Sequence, residues 1–160
     1  TAKVIATLDH YSGGRVIIGA GAGWLREETE VMGASFRLRW KRMREIVEAM
    51  RVLWTKAEAS YEGETVRFPA VRCEPKPVQK NGPPILLGAH GPQALERVAR
   101  TYDGWLPLVH DPAQFKKEFA EIRQRAGEII ARARAVERFA GSAIDPAMVD
   151  ERLHRRAFNG

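Results

Sequence analysis

Two glycine clusters stand where this chain could do chemistry. Gly19-Ala20-Gly21-Ala22-Gly23 closes the apolar run in "RVIIGAG", and Gly88-Ala89-His90-Gly91 closes "PILLGA" just before Pro92. Glycine lets a backbone approach a ligand closely and turn its N–H groups toward it. The second cluster runs straight into a helix-like pattern at Pro92. Open N–H groups and the dipole of a helix start attract an anion, so this turn suits a phosphate, such as that of a cofactor. The alternative for each cluster is a tight turn with no ligand. The first cluster also invites a dinucleotide-fold reading, which fails in detail. Its spacing is Gly-x-Gly-x-Gly, and Trp24 stands where the third fingerprint glycine belongs.

Other reactive side chains form no comparable group. His10, His110 and His154 are scattered without ligand spacing and read as surface or capping residues. His90 stands out through its loop, as a cofactor contact by side chain or backbone sooner than as a proton-transfer group. Glu27, Glu28 and Glu30 could suggest a metal, but carboxylates this close on a helix point in different directions. No metal site is expected. Cys73 has no evident base beside it, and no serine, histidine and aspartate arrangement can be argued. The catalytic residue is left unassigned.

The elements that must position the clusters follow from periodicity. "TAKVIATLDHYSGGR" predicts a helix with Ile5 and Leu8 on its inner face and Gly13-Gly14 as a left-handed cap. "RVIIGAG" predicts a buried parallel strand. The acidic part of "GWLREETEVMGASFRLR" predicts a short helix. Residues 40–54 carry Met43, Ile46, Val47, Met50, Leu53 and Trp54 as one apolar stripe, a helix. "ASYEGETVRF" predicts a hairpin around Glu62-Gly63. "CEPKPVQKNGPP" is a proline-punctuated connector. "PILLGA" and "GWLPLV" predict two further strands. The helix between them is expected to bury Leu95, Val98, Ala99 and Tyr102, with Asp103-Gly104 as the turn into the last strand. Asp111-Pro112 signals a helix start, followed by an inner face of Phe115, Phe119, Ile122, Ala126, Ile129, Ile130 and Ala133. A last short helix is expected in the tail from Gly141. The alternation of strand and helix means a parallel sheet covered by helices, an α/β fold, and ligands of such sheets sit at the carboxyl ends of the strands.

Composition bounds the function. The chain has 160 residues, 44% hydrophobic and 29% charged, ordinary for a globular protein with a real core. No apolar run approaches the roughly 20 residues of a membrane span, so no membrane partner is expected. The net charge of +6 sits largely in helical stretches such as "RLRWKRMR". No nucleic-acid-binding signature accompanies it, so a preference for small anionic molecules is expected instead of nucleic acid. One cysteine excludes an internal disulfide and fits a cytoplasmic location.

Four blocks are familiar in their order and spacing: "ATLDHYSGGRVIIGAGAGWLREETEVMG", "RMREIVEAMRVLW", "SYEGETVRFPAVRCEPKPVQ" and "PPILLGAHGPQALERVARTYDGWLP". Together they resemble the luciferase-like monooxygenase family, most of all its branch that uses the deazaflavin coenzyme F-420 instead of FMN. The resemblance is clear over 1–110, and 111–160 is a helical C-terminal part of the same expected domain, 1–160. It implies a (β/α)8 TIM barrel in which strands 15–20, 84–88 and 105–109 are the fourth, fifth and sixth, with the hairpin near 60–68 as an insertion. It implies coenzyme F-420 as cofactor, with FMN as second choice, and a small-molecule substrate. By the same resemblance Gly21, Ala22, Gly23 and Trp24 line the cofactor pocket, with Trp24 either covering the ring or packing. Gly88, Ala89, His90 and Gly91 form the phosphate loop, in agreement with the anion argument. The family's first three strands have no counterpart here, and strands seven and eight are not recognisable. A partial barrel is therefore expected, inactive on its own and associating into a homo-oligomer. The implied function is hydride transfer between cofactor and a small organic substrate. The alternative is an inactive barrel piece acting as a binding or assembly module.

Overall fold

The chain divides after Pro84. Thr1–Pro84 forms one compact unit, and a second begins at Ile85. The computed structural model describes residues 1–108 and 111–140, and side-chain burial in the last helix as far as 131. The expectations for His110, His154, the side chain of Ala133, the end of the strand at Val109 and the tail from Gly141 fall outside the described residues.

The first unit opens with α1, Ala2–Ser12, closed by Gly13 in the left-handed region at φ 65°. The Gly13 N–H donates to the His10 carbonyl at 3.0 Å and the Gly14 N–H to that of Asp9 at 2.9 Å, the expected cap. The inner face differs from the expected one. Ala2, Ala6 and Asp9 are buried, while Leu8 is 53% exposed. The small alanines admit the next long helix, α3, whose Trp54 indole donates to the Ala2 carbonyl at 3.0 Å. Asp9 is turned inward because it accepts both the backbone N–H and the side-chain amide of Gln79, each at 2.9 Å.

That same Gln79 amide donates to the Val16 carbonyl at 2.8 Å. This explains why the first strand, β1, runs only over Ile18–Ala20 and not from residue 15. The backbone before Ile18 is held by a side chain, and the Ile18 N–H is the first to donate to main chain, at Pro84, 2.9 Å. The short helix α2, Arg26–Val31, follows. A 3-10 turn at Phe36–Leu38 leads into α3, Arg39–Thr55. Met43, Val47, Met50 and Trp54 are buried as expected, and so are Ala49 and Glu45. The expected hairpin is present as β2, Ala59–Glu62, antiparallel to β3, Arg67–Val71, with Glu62 opposite Arg67.

The second unit is a strand–helix–strand–helix run. β4, Ile85–Gly88, and β5, Gly104–Leu106, pair in parallel with Leu86 opposite Gly104, Leu87 opposite Trp105 and Gly88 opposite Leu106. Two residues explain where β5 starts. Asp103 exchanges bonds with Ile85: its backbone N–H donates to the Ile85 carbonyl at 2.9 Å, and its carboxylate accepts the Ile85 N–H at 2.9 Å. Gly104 leaves room for the Leu86 side chain, whose Cδ2 would lie 2.6 Å from a Cβ there. Between the strands α4, Pro92–Thr101, buries Ala94, Leu95, Val98 and Ala99, and Tyr102 follows them into the core. The long helix α5, Pro112–Ala140, closes the described chain. Arg125 ties it to α4, donating to Glu96 at 3.0 Å. Of its expected inner face, Ile122 is buried, but Phe115 and Phe119 are 39% and 44% exposed. Those two rings stack on one another instead of entering the core.

Candidate functional site

Gly91 is the hinge on which the second glycine cluster turns into α4. Its φ of 84° and ψ of 166° lie in a region open essentially to glycine alone. A Cβ at Gly91 would meet nothing within 4 Å, so conformation and not crowding requires glycine, and the space beside it is open. Its carbonyl accepts the N–H groups of Ala94 and Leu95 at 2.9 and 3.2 Å, which starts the helix. Pro92 supplies the first helical residue, and no side chain caps the first turn. The positive end of α4 has no side-chain cap.

The loop before Gly91 is held from β5. Ala89 is buried, and its carbonyl accepts the Trp105 indole N–H at 2.8 Å. The Trp105 ring stacks on Phe115 at 5.7 Å and 4°, and Phe115 stacks on Phe119 at 5.8 Å and 10°. The His90 side chain is exposed. A cleft of about 550 Å³ opens beside Gly91, lined also by Pro92, Leu95, Asp111, Lys117 and Glu118. Lys117 offers an ammonium there. Glu118 accepts a bond from Gln114 at 2.9 Å through one oxygen, and its other oxygen has no partner among the described residues.

The start of α5 is arranged differently. The Asp111 carboxylate accepts the N–H groups of Ala113 at 3.0 Å and Gln114 at 3.3 Å, the cap that Asp111-Pro112 predicts.

The first cluster belongs to the first unit. Gly21 is open, with nothing within 4 Å of a Cβ, and Gly23 sits at φ 78° with Thr29 Oγ1 at 3.7 Å from a Cβ. Trp24 is 83% exposed. Arg26 pairs with Glu30 at 3.1 Å. Among the described residues no group of three histidine, cysteine, aspartate or glutamate side chains could hold a metal. Cys73 is a free, half-buried thiol.

Two residues carry more of the arrangement than their place in the sequence suggests. Trp105 is one, and its only sequence signal is a tryptophan set into a short apolar strand. Glu45 is the other. Its carboxylate accepts the backbone N–H groups of Glu64, Thr65 and Val66 at 3.3, 2.7 and 3.1 Å, and the Thr65 hydroxyl at 2.6 Å. The Thr65 hydroxyl bond, with the backbone bonds behind it and against the cost of burial, brings its pKa down to about 2. A Cβ at Gly63 would lie 2.7 Å from this carboxylate, so the turn is shaped around it. For Asp9, burial alone would raise the carboxyl, but the bonds from Gln79 outweigh it and hold the group below its usual value.

Beside α4's uncapped first turn the space at Gly91 is open, and the adjoining cleft is lined by Lys117 and by the carboxylates of Asp111, Glu118 and Glu121. Comparison with known proteins narrows the reading. A family model described as luciferase-like monooxygenase matches residues 1–157. An uncharacterized protein of Mycobacterium bovis is 46% identical over 111 residues, 69% of this chain and 39% of its own length. An FMNH2-dependent dimethylsulfone monooxygenase of Pseudomonas putida is 28% identical over 128 residues, 78% of this chain and 35% of its own length. The solved structure of an F-420-dependent secondary alcohol dehydrogenase, in complex with an F-420–acetone adduct, matches with a TM-score of 0.65 and 26% identity. That match covers 79% of this chain and 40% of that one. The chain spans well under half the length of the curated relatives it matches.

Proposed function

As the chain belongs to the luciferase-like monooxygenase family, we propose that it is the cofactor-holding part of an oxidoreductase built on a partial (β/α)8 barrel. Coenzyme F-420 is the first choice of cofactor and FMN the second, which the dehydrogenase and the dimethylsulfone monooxygenase support in turn. When bound, the cofactor would donate a hydride to a small organic substrate or accept one from it. The residues of this chain bind and orient it. Gly88, Ala89, His90 and Gly91 take the phosphate at the start of α4, and Gly21, Ala22, Gly23 and Trp24 are proposed as contacts to the ring. No proton-transfer residue is assigned, and His90 enters through its backbone.

The observation that carries this reading is the uncapped start of α4 behind Gly91 at φ 84°. Titration of the chain with coenzyme F-420 and with FMN, followed by their fluorescence, tests it. Saturable binding that inorganic phosphate competes away is expected, with F-420 the tighter. No saturable binding of either would contradict the reading.

One observation favours a second reading, that of an assembly module. Val4, Leu8 and Tyr11 recur at four and three along α1 and are 62%, 53% and 87% exposed. Such a stripe on a helix usually marks a contact surface. A homo-oligomer is then expected in light scattering, and a sharp peak at 18.0 kDa would count against it.

A further inference from the structure

The Trp105 indole N–H has a single acceptor, and that acceptor belongs to the loop proposed above to take the phosphate. β5 runs parallel to β4 with Trp105 opposite Leu87, so Trp105, Leu87 and Ala89 share one face of the pair. The side chain leans along the strand direction and reaches the Ala89 carbonyl, two residues past its register partner, at 2.8 Å. Ala89 is buried, so this carbonyl has little water to turn to if the indole is withdrawn. The Ala89–His90 peptide is trans, as is every described peptide bond but the one before Pro75. In a trans peptide the carbonyl and the following N–H point in opposite directions. Fixing the Ala89 carbonyl therefore fixes the direction of the His90 N–H. The indole is itself fixed from its other side, by Phe115 stacked at 5.7 Å and 4° and by Phe119 behind it. Both phenylalanines come from the first two turns of α5, the helix that Asp111 caps.

We propose that Trp105 is a positioning residue for cofactor binding: its indole N–H locks the Ala89 carbonyl so that the His90 N–H is held ready for the phosphate, and the Phe115–Phe119 stack holds the indole. The proposal rests on the phosphate reading of the Gly88–Gly91 loop. Its physical content is preorganisation. A donor already aimed at the anion loses little freedom on binding, whereas a peptide free to rotate must be ordered by the ligand.

The test uses the whole chain with FMN and coenzyme F-420 as probes. Trp105→Phe keeps an aromatic ring for Phe115 and removes the N–H. The expected result is cofactor affinity lowered about tenfold, one hydrogen bond's worth of preorganisation, with the midpoint of thermal unfolding lowered by a few degrees as the buried Ala89 carbonyl loses its donor. In the isotopically labelled wild-type chain, the indole N–H resonance of Trp105, assigned through its connectivity to the Trp105 backbone, should shift and exchange more slowly with solvent when cofactor is added. A folded Trp105→Phe chain with wild-type affinity overturns the proposal. If the variant does not fold, the wild-type indole decides: a resonance that cofactor shifts supports the proposal, and one that it leaves in place overturns it. The outcomes separate from those of the underlying reading. A wild-type chain that binds neither probe fails the phosphate reading first and takes this proposal with it, whereas a wild-type chain that binds and a variant that binds as well fail this proposal alone.

Discussion

Helices α4 and α5 begin twenty residues apart and treat their first-turn N–H groups in opposite ways. At α5 the chain answers them itself, through the Asp111 carboxylate on the N–H groups of Ala113 and Gln114. At α4 the residue in the same place is Gly91, with no side chain to give. The hairpin repeats the first solution, since Glu45 gathers three backbone N–H groups and a hydroxyl around one carboxylate. Where stability is the end, this chain supplies its own anion. At α4 the Ala94 N–H turns back on the Gly91 carbonyl at 2.9 Å, and no side chain caps the turn.

The comparison can be broken at the filled sites first, where the largest effect is expected. Glu45→Gln keeps the shape of the side chain and removes the charge from its four donors. It should lower the thermal midpoint at neutral pH further than any substitution below. The carboxyl is brought from 4.5 down to about 2 in the folded chain. A group depressed in this way stabilises fully above its unfolded value, and that contribution fades as pH falls toward the folded one. The gap between wild type and variant in circular-dichroism melts should therefore close as pH drops from above 4.5 to about 2. A gap that stays constant would mean that charge is not what holds the hairpin.

At the open site, Gly91→Val forces a β-branched residue into φ 84°. Cofactor affinity should fall at least about fivefold, equivalent to about 1 kcal/mol, as read by fluorescence titration of a folded variant. Unchanged affinity would count against the loop as the phosphate site. Asp111→Ala removes the cap of α5 and should destabilise the chain by about 1 kcal/mol. Chemical denaturation checks this. The smallest change is the most discriminating. Gln93→Glu gives the first turn of α4 the negative charge that α5 already has. It should weaken phosphate binding only about two- to threefold, an effect that shrinks as salt is added.

What the sequence made legible was whatever depends on neighbours along the chain. Asp111-Pro112, Gly13-Gly14 and the Glu62-Gly63 turn act within a few residues, and each stands as expected. The stripe Met43, Val47, Met50 and Trp54 was readable because helical period alone places those side chains on one face. The misreadings come from partners far away in sequence. Leu8 looks like the inner face of α1 until Gln79, seventy residues on, draws Asp9 inward. Phe115 and Phe119 look like core until Trp105 offers them a stacking surface. Glu45 sits on a helix face among apolar neighbours, and nothing local says that a hairpin loop closes over it. At the candidate site the two glycine clusters were visible for a local reason, since a turn at positive φ demands glycine. The residue that holds the second of them was not, because its reach from one strand to the end of another follows from register.

The central proposal is that phosphate binds at α4's open helix start. An amide-resolved nuclear magnetic resonance titration of the isotopically labelled chain with FMN, repeated with inorganic phosphate, tests that most directly. The N–H signals of His90, Gly91 and Gln93 should shift in saturable fashion with both, while those of Ala113 and Gln114, already answered by Asp111, stay in place. Signals at 90–93 that do not move while cofactor binds, or shifts centred on the capped start of α5, would contradict it.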